Sequence, residues 1–507
     1  MGIPPLSWSS LLLTTCSLLL LFFFLWRRES KTRLPLPPGP PAWPIVGNLF
    51  QLGKKPQETL YDLSLRYGPL MALRLGMKTA VVVSSPAMAK EIFKTHDHIF
   101  AGRPVMEAFR SLSHHKSSLI WGEYGPYWRN LRRISTVELF SNKRHEALQH
   151  LRRDQVFRTI GLIFEDKGKV VDIGLMAFCT SLNLLGNMIF STNVCDPRNP
   201  ASAELKDTIW KLMKLVAMPN LADLFPFFRF LDPQGVSHRM AGYFKVLYDF
   251  SETFIQKRLA AHSQSIKLND SEKDFLDVLL DSRTEDFTLV GIRALIAEFF
   301  AAGTESSTTI VEWAMVEFIR NPEKLNRVRQ ELDEVVGRNR RVEESDVDHL
   351  PYLHASLKEL FRLHPTAPVL LPHRAECSCE IGGFVIPKDT QVMVNVWAIG
   401  RDTAIWNNPS KFMPERFLEG ENSKIDYRGQ DFELIPFGAG RRICPAIHLA
   451  SRMVSFVLAS LLHSFEWKLP DGMNGEQLDV TDMTDEFGVT FKQLNAIPVP
   501  RLPHDIY

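Results

Sequence analysis

Apolar residues recur at three- and four-residue spacing over much of this chain, the pattern of amphipathic helices with one buried stripe. Residues 205–218, 243–261 and 322–336 are clear cases, and further helices are expected over 350–363 and 447–463. From Ile292 to Asn321 the pattern continues as one long helix, roughly 45 Å at about 1.5 Å per residue, which Pro322 ends. Strand-like runs are fewer: 71–74, 80–83, 384–386 and 391–395. These elements predict one large domain, mainly α with a smaller β portion.

Two N-terminal segments break the pattern. From Leu6 to Trp26 there is no charge and an excess of Leu and Phe, about the twenty residues that span a bilayer. Arg27, Arg28, Lys31 and Arg33 follow, and no basic side chain precedes, so the positive-inside rule places the remainder in the cytosol. A cleaved leader would need a basic start and a small-residue cleavage site; neither is evident. Residues 35–41, Pro-Leu-Pro-Pro-Gly-Pro-Pro, cannot be helical and read as a stiff spacer. The expected organisation is a membrane anchor at 1–33, a proline-rich hinge at 34–48 and a catalytic body at 49–507. Residues 262–273 read as a surface loop.

Charge adds an exclusion. Lys and Arg number 59 against 58 Asp and Glu, net +1, so nothing draws the chain towards nucleic acid. The six cysteines are sparse, as in a reduced compartment. Cys377 and Cys379 stand near His373 but lack a fourth metal ligand, and alternation along a strand accounts for them better.

The chemistry concentrates around Cys444, in Phe437-Gly438-Ala439-Gly440-Arg441-Arg442-Ile443-Cys444-Pro445-Ala446. A thiolate needs electropositive or metal-bound surroundings. The glycines let backbone approach a flat ligand, Arg442 can meet an acidic group on it, and the following helix turns its positive end to the sulfur. A Gly-rich turn holding a free cysteine is the plain alternative. The joint presence of Phe437, Gly440 and Arg442 favours holding haem iron through one axial cysteine, the ligation that promotes O–O cleavage.

Other constellations stand at a distance. Ala301-Ala302-Gly303-Thr304-Glu305-Ser306-Ser307-Thr308-Thr309 is a poor helix interior, because glycine and hydroxyl side chains weaken the ladder. Such a weakness admits hydroxyls and water into a helix. Glu359 and Arg362 lie i, i+3 and share a helix face; alone they would read as a surface ion pair. Pro414-Glu415-Arg416-Phe417 follows, and Trp128 precedes Arg132 by one helical turn.

Together these segments resemble the cytochrome P450 monooxygenases. Phe437, Gly440, Arg442 and Cys444 match the family's haem loop F-x-x-G-x-R-x-C-x-G, with Ala446 where glycine is usual. Ala302, Gly303 and Glu305 match A-G-x-[D/E]-T, with Ser306 where threonine is usual. Glu359, Arg362 and Arg416 match the structural E-x-x-R and its partner arginine, and Trp128 and Arg132 match W-x-x-x-R. The resemblance implies haem b with Cys444 as axial ligand, and haem propionates met by Arg442, Trp128, Arg132 and Arg374, with His373 a weaker candidate. It implies proton delivery by Glu305 and Ser306, and electrons from NADPH through a separate membrane-bound NADPH–cytochrome P450 reductase. Ala302, Val369 and Phe487 are the implied contacts of a small hydrophobic substrate.

The wording is closest to plant microsomal members, in Phe100-Ala101-Gly102-Arg103-Pro104, in 220–226 with 232–235, and in 483–488. Those groups oxidise monoterpenoids and benzylisoquinoline or tropane-type alkaloids. The implied reaction is hydroxylation of such a metabolite at the endoplasmic reticulum membrane, with lipid gripping residues 6–26. Phenol coupling and skeletal rearrangement stay open, as does a haem-thiolate isomerase or dehydratase. A haem sensor or carrier is the non-catalytic rival; it has no need of Glu305 and Ser306.

Overall fold

The computed structural model describes residues 35–263, 273–478, 480 and 493–507. The expected anchor, most of the 262–273 loop and Phe487 lie outside these residues.

The long central helix runs Leu289–Arg320 over 32 residues. Its ends, Ile292–Ala301 and Ile310–Phe318, are almost wholly buried, whereas Ala302, Gly303 and Glu305–Ser307 between them retain partial exposure. Two helices pack against it, Ile173–Phe190 and Ile447–Ser464. Both are apolar enough to cross a bilayer, yet 83% and 78% of their residues are buried inside the protein, so they are core helices. Asp172 caps the first, its carboxylate accepting from the Leu175 amide at 2.9 Å. Ala446 precedes the second.

Caps also explain why several boundaries differ from the apolar pattern. The helix expected at 205–218 starts earlier, at Pro200, because Asn199 accepts from the Ala201 amide and proline fits the first turn. The strand expected over 391–395 stops at Val394, because Asn395 turns to cap the short helix Val396–Ile399 through the Ala398 amide. The other expected strands are present as Leu70–Leu75, Lys78–Val83 and Phe384–Ile386. One four-stranded sheet runs in the order Leu70–Leu75, Lys78–Val83, Gln391–Val394, His373–Arg374. Its middle pair is parallel and its outer pairs antiparallel.

Where it is described, the proline segment does not stand apart from the body. Pro38 accepts from the Ala72 amide at 2.9 Å, Pro35 from the Val385 amide at 3.1 Å, and a Cβ on Gly39 would collide with the Ala72 carbonyl. Asn48 holds its far end, donating to the Pro40 and Pro41 carbonyls and accepting from the Arg74 amide. Proline cannot donate, but its carbonyls remain strong acceptors, so these residues lie along the sheet edge.

Candidate active site

Cys444 lies in the loop leading into the Ile447–Ser464 helix. Gly438 and Gly440 both have positive φ, 71° and 69°, and a Cβ on Gly440 would lie 2.3 Å from the Phe93 carbonyl. Glycine is therefore required there by conformation and by contact. Phe437 packs edge-on to Phe361 at 5.1 Å, and its carbonyl accepts from the Cys444 amide at 3.0 Å. Burial pushes the thiol upward; the Ala446 amide and the Arg132 charge pull against it. Ala446 has φ −96°, an ordinary conformation for any residue, so its departure from glycine carries no backbone strain.

Next to this loop the fold gathers cations. Arg442 donates to the carbonyls of Ala101 at 2.8 Å and Gly122 at 2.7 Å, and lies over the Trp128 ring at 4.2 Å. Trp128 donates to the Leu119 carbonyl at 2.8 Å. Arg103 is 5% exposed and donates to the carbonyls of Leu371 at 2.7 Å and Pro372 at 2.9 Å. Burial and the Arg442 charge push Arg103 down to about 9, burial and the Arg132 charge push Arg442 down to about 10, and burial lowers Arg132 as well. His373 gives its Nδ1 proton to the Phe100 carbonyl at 2.6 Å; burial, Arg103 and Arg442 hold its pKa well below the ordinary value.

None of Arg103, Arg132 and Arg442 makes an ion pair with a carboxylate among the described residues. Guanidinium groups drawn out of water without counter-charge are costly, so this cluster, with Arg103 buried and Arg132 and Arg442 half-buried, fits a ligand that brings its own negative charge. With a half-buried thiol beside it, the donor set suits a flat dianionic group bound through metal, and haem with its two propionates meets that description.

The neighbouring residues of Pro372 divide differently from expectation. Arg374, expected beside the propionates, pairs instead with Glu376 at 3.0 Å and approaches Glu123 at 3.8 Å. Successive strand residues point to opposite faces, so His373 turns inward and Arg374 outward.

In the central helix, Ser306 donates to the Ala302 carbonyl at 2.7 Å and Ser307 to the Gly303 carbonyl at 3.0 Å. Glu305 accepts from the Thr309 hydroxyl at 3.1 Å. Adjacent helix residues are about 100° apart, so Glu305 and Ser306 face different sides, and Glu305 borders a separate cavity with Thr308, Thr309 and Glu312. Val369 packs, half-buried, against the sheet-side cluster around Met71 and Val82. Glu359, Arg362 and Arg416 do come together: Glu359 receives Arg362 at 2.7 Å and Arg416 at 3.0 Å, with all three side chains at most 5% exposed.

Sequence reasoning missed Arg103 as a site residue and missed Glu298 entirely. Glu298 accepts from the Leu119 amide at 2.8 Å, His114 Nε2 at 3.0 Å and the Ser118 hydroxyl. It thereby fixes the loop whose Leu119 carbonyl holds Trp128. A lone glutamate within the apolar run 294–302 was the available signal.

A profile of the cytochrome P450 family matches residues 37–493. The chain belongs to the cytochrome P450 family. The P450 from Catharanthus roseus named cytochrome P450 76T24 is 43% identical, over 92% of this chain and 94% of that protein. Geraniol 8-hydroxylase of the same plant is 42% identical over 91% and 94%. Cytochrome P450 monooxygenase 76AD131 of Lophophora williamsii is 44% identical over 92% and 93%. This P450 is a haem-thiolate monooxygenase, with a cysteine thiolate as haem ligand and NADPH electrons supplied through a reductase.

Proposed function

We propose that this P450 hydroxylates a hydrophobic plant metabolite, with an acyclic monoterpene alcohol of the geraniol type as the first candidate. The observation that carries the site reading is the cluster of buried Arg103 with half-buried Arg132 and Arg442, without carboxylate partners, beside Cys444. The substrate class rests on the relative named geraniol 8-hydroxylase, similar over nearly its whole length. Residues 6–26 would tether the enzyme to the endoplasmic reticulum membrane, within reach of the reductase.

When bound, haem supplies reductive activation of O2. The rest falls to the chain. Cys444 presents its sulfur at the positive end of the Ile447–Ser464 helix. Arg103, Arg132 and Arg442 would hold the propionates and gain the counter-charge they lack, with Trp128 stacked under Arg442 and His373 tied to the Phe100 carbonyl beside them. Ser306 keeps a hydroxyl on the helix wall by resting it on the Ala302 carbonyl, from which it can turn to order water. Glu305 holds a proton on its carboxyl and passes it inward; proton transfer from a positioned group is typically worth about 10²–10⁴-fold. Ala302, Val369 and Phe487 would form part of the substrate wall.

The test is a haem Soret-shift screen of geraniol, related terpenoids and plant alkaloids, then turnover with reductase under labelled O2. A shift with geraniol and one labelled oxygen atom in its product supports the reading. A shift only with alkaloids would move the substrate class, and unlabelled product would refute hydroxylation.

A further inference from the structure

On the side of the central helix where Glu305 points lies a cavity of about 250 Å³. Glu305, Thr308, Thr309 and Glu312 line it from one helix face, at the i, i+3, i+4, i+7 spacing that stacks side chains along a stripe. Lys206 and Asp207 face them from the helix Pro200–Ala217, and Asp172 from the strand Val171–Asp172. Lys206 lies 3.7 Å from Asp172. Gly174 makes room for the meeting: a Cβ there would fall 2.1 Å from Glu312 Oε1 and 2.6 Å from Lys206 Nζ. Thr309 already bridges to Glu305 at 3.1 Å, while the Thr308 hydroxyl is buried with no protein partner. Apolar side chains such as Phe178 and Trp210 complete the wall, but with this many polar groups a cavity of this size has room for several waters, each wanting two to four such partners.

We propose that Glu312, with Lys206 and Asp172, is the outer station of a proton path that takes up protons from solvent and passes them to Glu305. This rests on the reading of Glu305 as the proton donor. Each transfer is a proton exchange alone. Glu312 releases its proton to cavity water or a threonine hydroxyl, the Glu305 carboxylate accepts one, and Glu312 is recharged from solvent. No electron or further reactant is needed. Glu312 touches no reacting atom and serves through Glu305.

The electrostatics agree. Burial pushes Glu312 up to about 7; Lys206 and the Leu494 amide oppose the rise, and Asp172 and Glu305 add to it. A carboxyl poised near neutrality gives and regains protons readily at physiological pH.

The experiment uses the full-length holoenzyme. Infrared titration without substrate should show a protonated-carboxyl band that disappears as pH rises through about 7, and that is missing in Glu312→Gln. With reductase and a substrate found by the Soret screen, Glu312→Gln should lower product formation about tenfold at pH 8 and less than twofold at pH 6. Glu312→Asp should recover at least half of the loss. Lys206→Met removes the opposing charge, so it should move both the band and the rate profile to higher pH. Wild-type rates at every pH in Glu312→Gln, alongside a slowed Glu305→Gln, would overturn the outer station alone. Equal slowing at all pH, or an unchanged infrared band, would also overturn it and leave Glu312 a structural group. A fully active Glu305→Gln would overturn the underlying reading instead.

Discussion

Replacing Glu359 with glutamine tests what holds the core together beside the cysteine loop. The change keeps shape and removes the charge. Glu359 is fully buried and accepts from Arg362 through Nε at 2.7 Å and Nη2 at 2.8 Å, from Arg416 at 3.0 Å and from the Met413 amide at 2.8 Å. Arg362 also spans to the carbonyls of Gly400 at 2.5 Å and Pro409 at 2.7 Å, so the triad ties the Pro351–Leu363 helix to the segment before Arg416. Without the carboxylate, two buried guanidinium groups lose their counter-charge, which costs about 3–5 kcal/mol. Unfolding entropy is roughly 1 kcal/mol per kelvin for a body of this length. Glu359→Gln should therefore lower the half-inactivation temperature by about 3–5 °C, read as loss of the thiolate-haem carbon monoxide band after brief heating. The exposed pair Lys245–Asp249, 2.6 Å apart, is the control: Asp249→Asn should cost about 0.3–0.5 kcal/mol, less than a degree. A Glu359→Gln protein within about a degree of wild type would refute the view that burial makes this triad matter.

Ser306→Ala should divert NADPH from product into peroxide, while Ser306→Thr should equal or improve wild-type yield; paired peroxide and product measurements check both, and full yield in Ser306→Ala would count against a proton-ordering hydroxyl. Glu305→Gln should slow product formation with haem content unchanged, measured by single-turnover kinetics and the haem absorbance ratio. His145 is buried with neither ring nitrogen hydrogen-bonded, and burial with Arg152, His448 and Arg452 pushes it down to about 4. Its folded value lies below the unfolded one, so its contribution is complete above about 6.5 and is lost as pH falls towards 4. The urea midpoint of wild type should fall more between pH 7 and pH 4.5 than that of His145→Phe; parallel curves would refute it.

The cysteine loop and the Glu359–Arg362 pair were legible because each is a short string whose residues act together. The helices and strands were legible from periodicity, and their ends were not, since Asn199 at a helix start and Asn395 at a strand end override the apolar pattern through single hydrogen bonds. Arg103 was hidden because its partners, Leu371 and Pro372, lie more than 260 residues away. His373 and Arg374 are adjacent in sequence, and only the strand's two faces decide which turns inward. Lys206 reads as the polar edge of an amphipathic helix until Gly174, in another helix, is seen to admit it beside Glu312. The short sheet of Val171–Asp172, Asn495–Pro500 and Phe465–Lys468 was unreadable because its strands are only two to six residues long.

The most direct measurement is the carbon monoxide difference spectrum of reduced Cys444→His beside wild type, both purified with haem. Wild type should show the red-shifted Soret band of thiolate-ligated haem, and Cys444→His should show only the shorter-wavelength band of nitrogen ligation. Persistence of the red-shifted band in Cys444→His would contradict the assignment of Cys444 and, with it, the site built around the Arg103, Arg132 and Arg442 cluster.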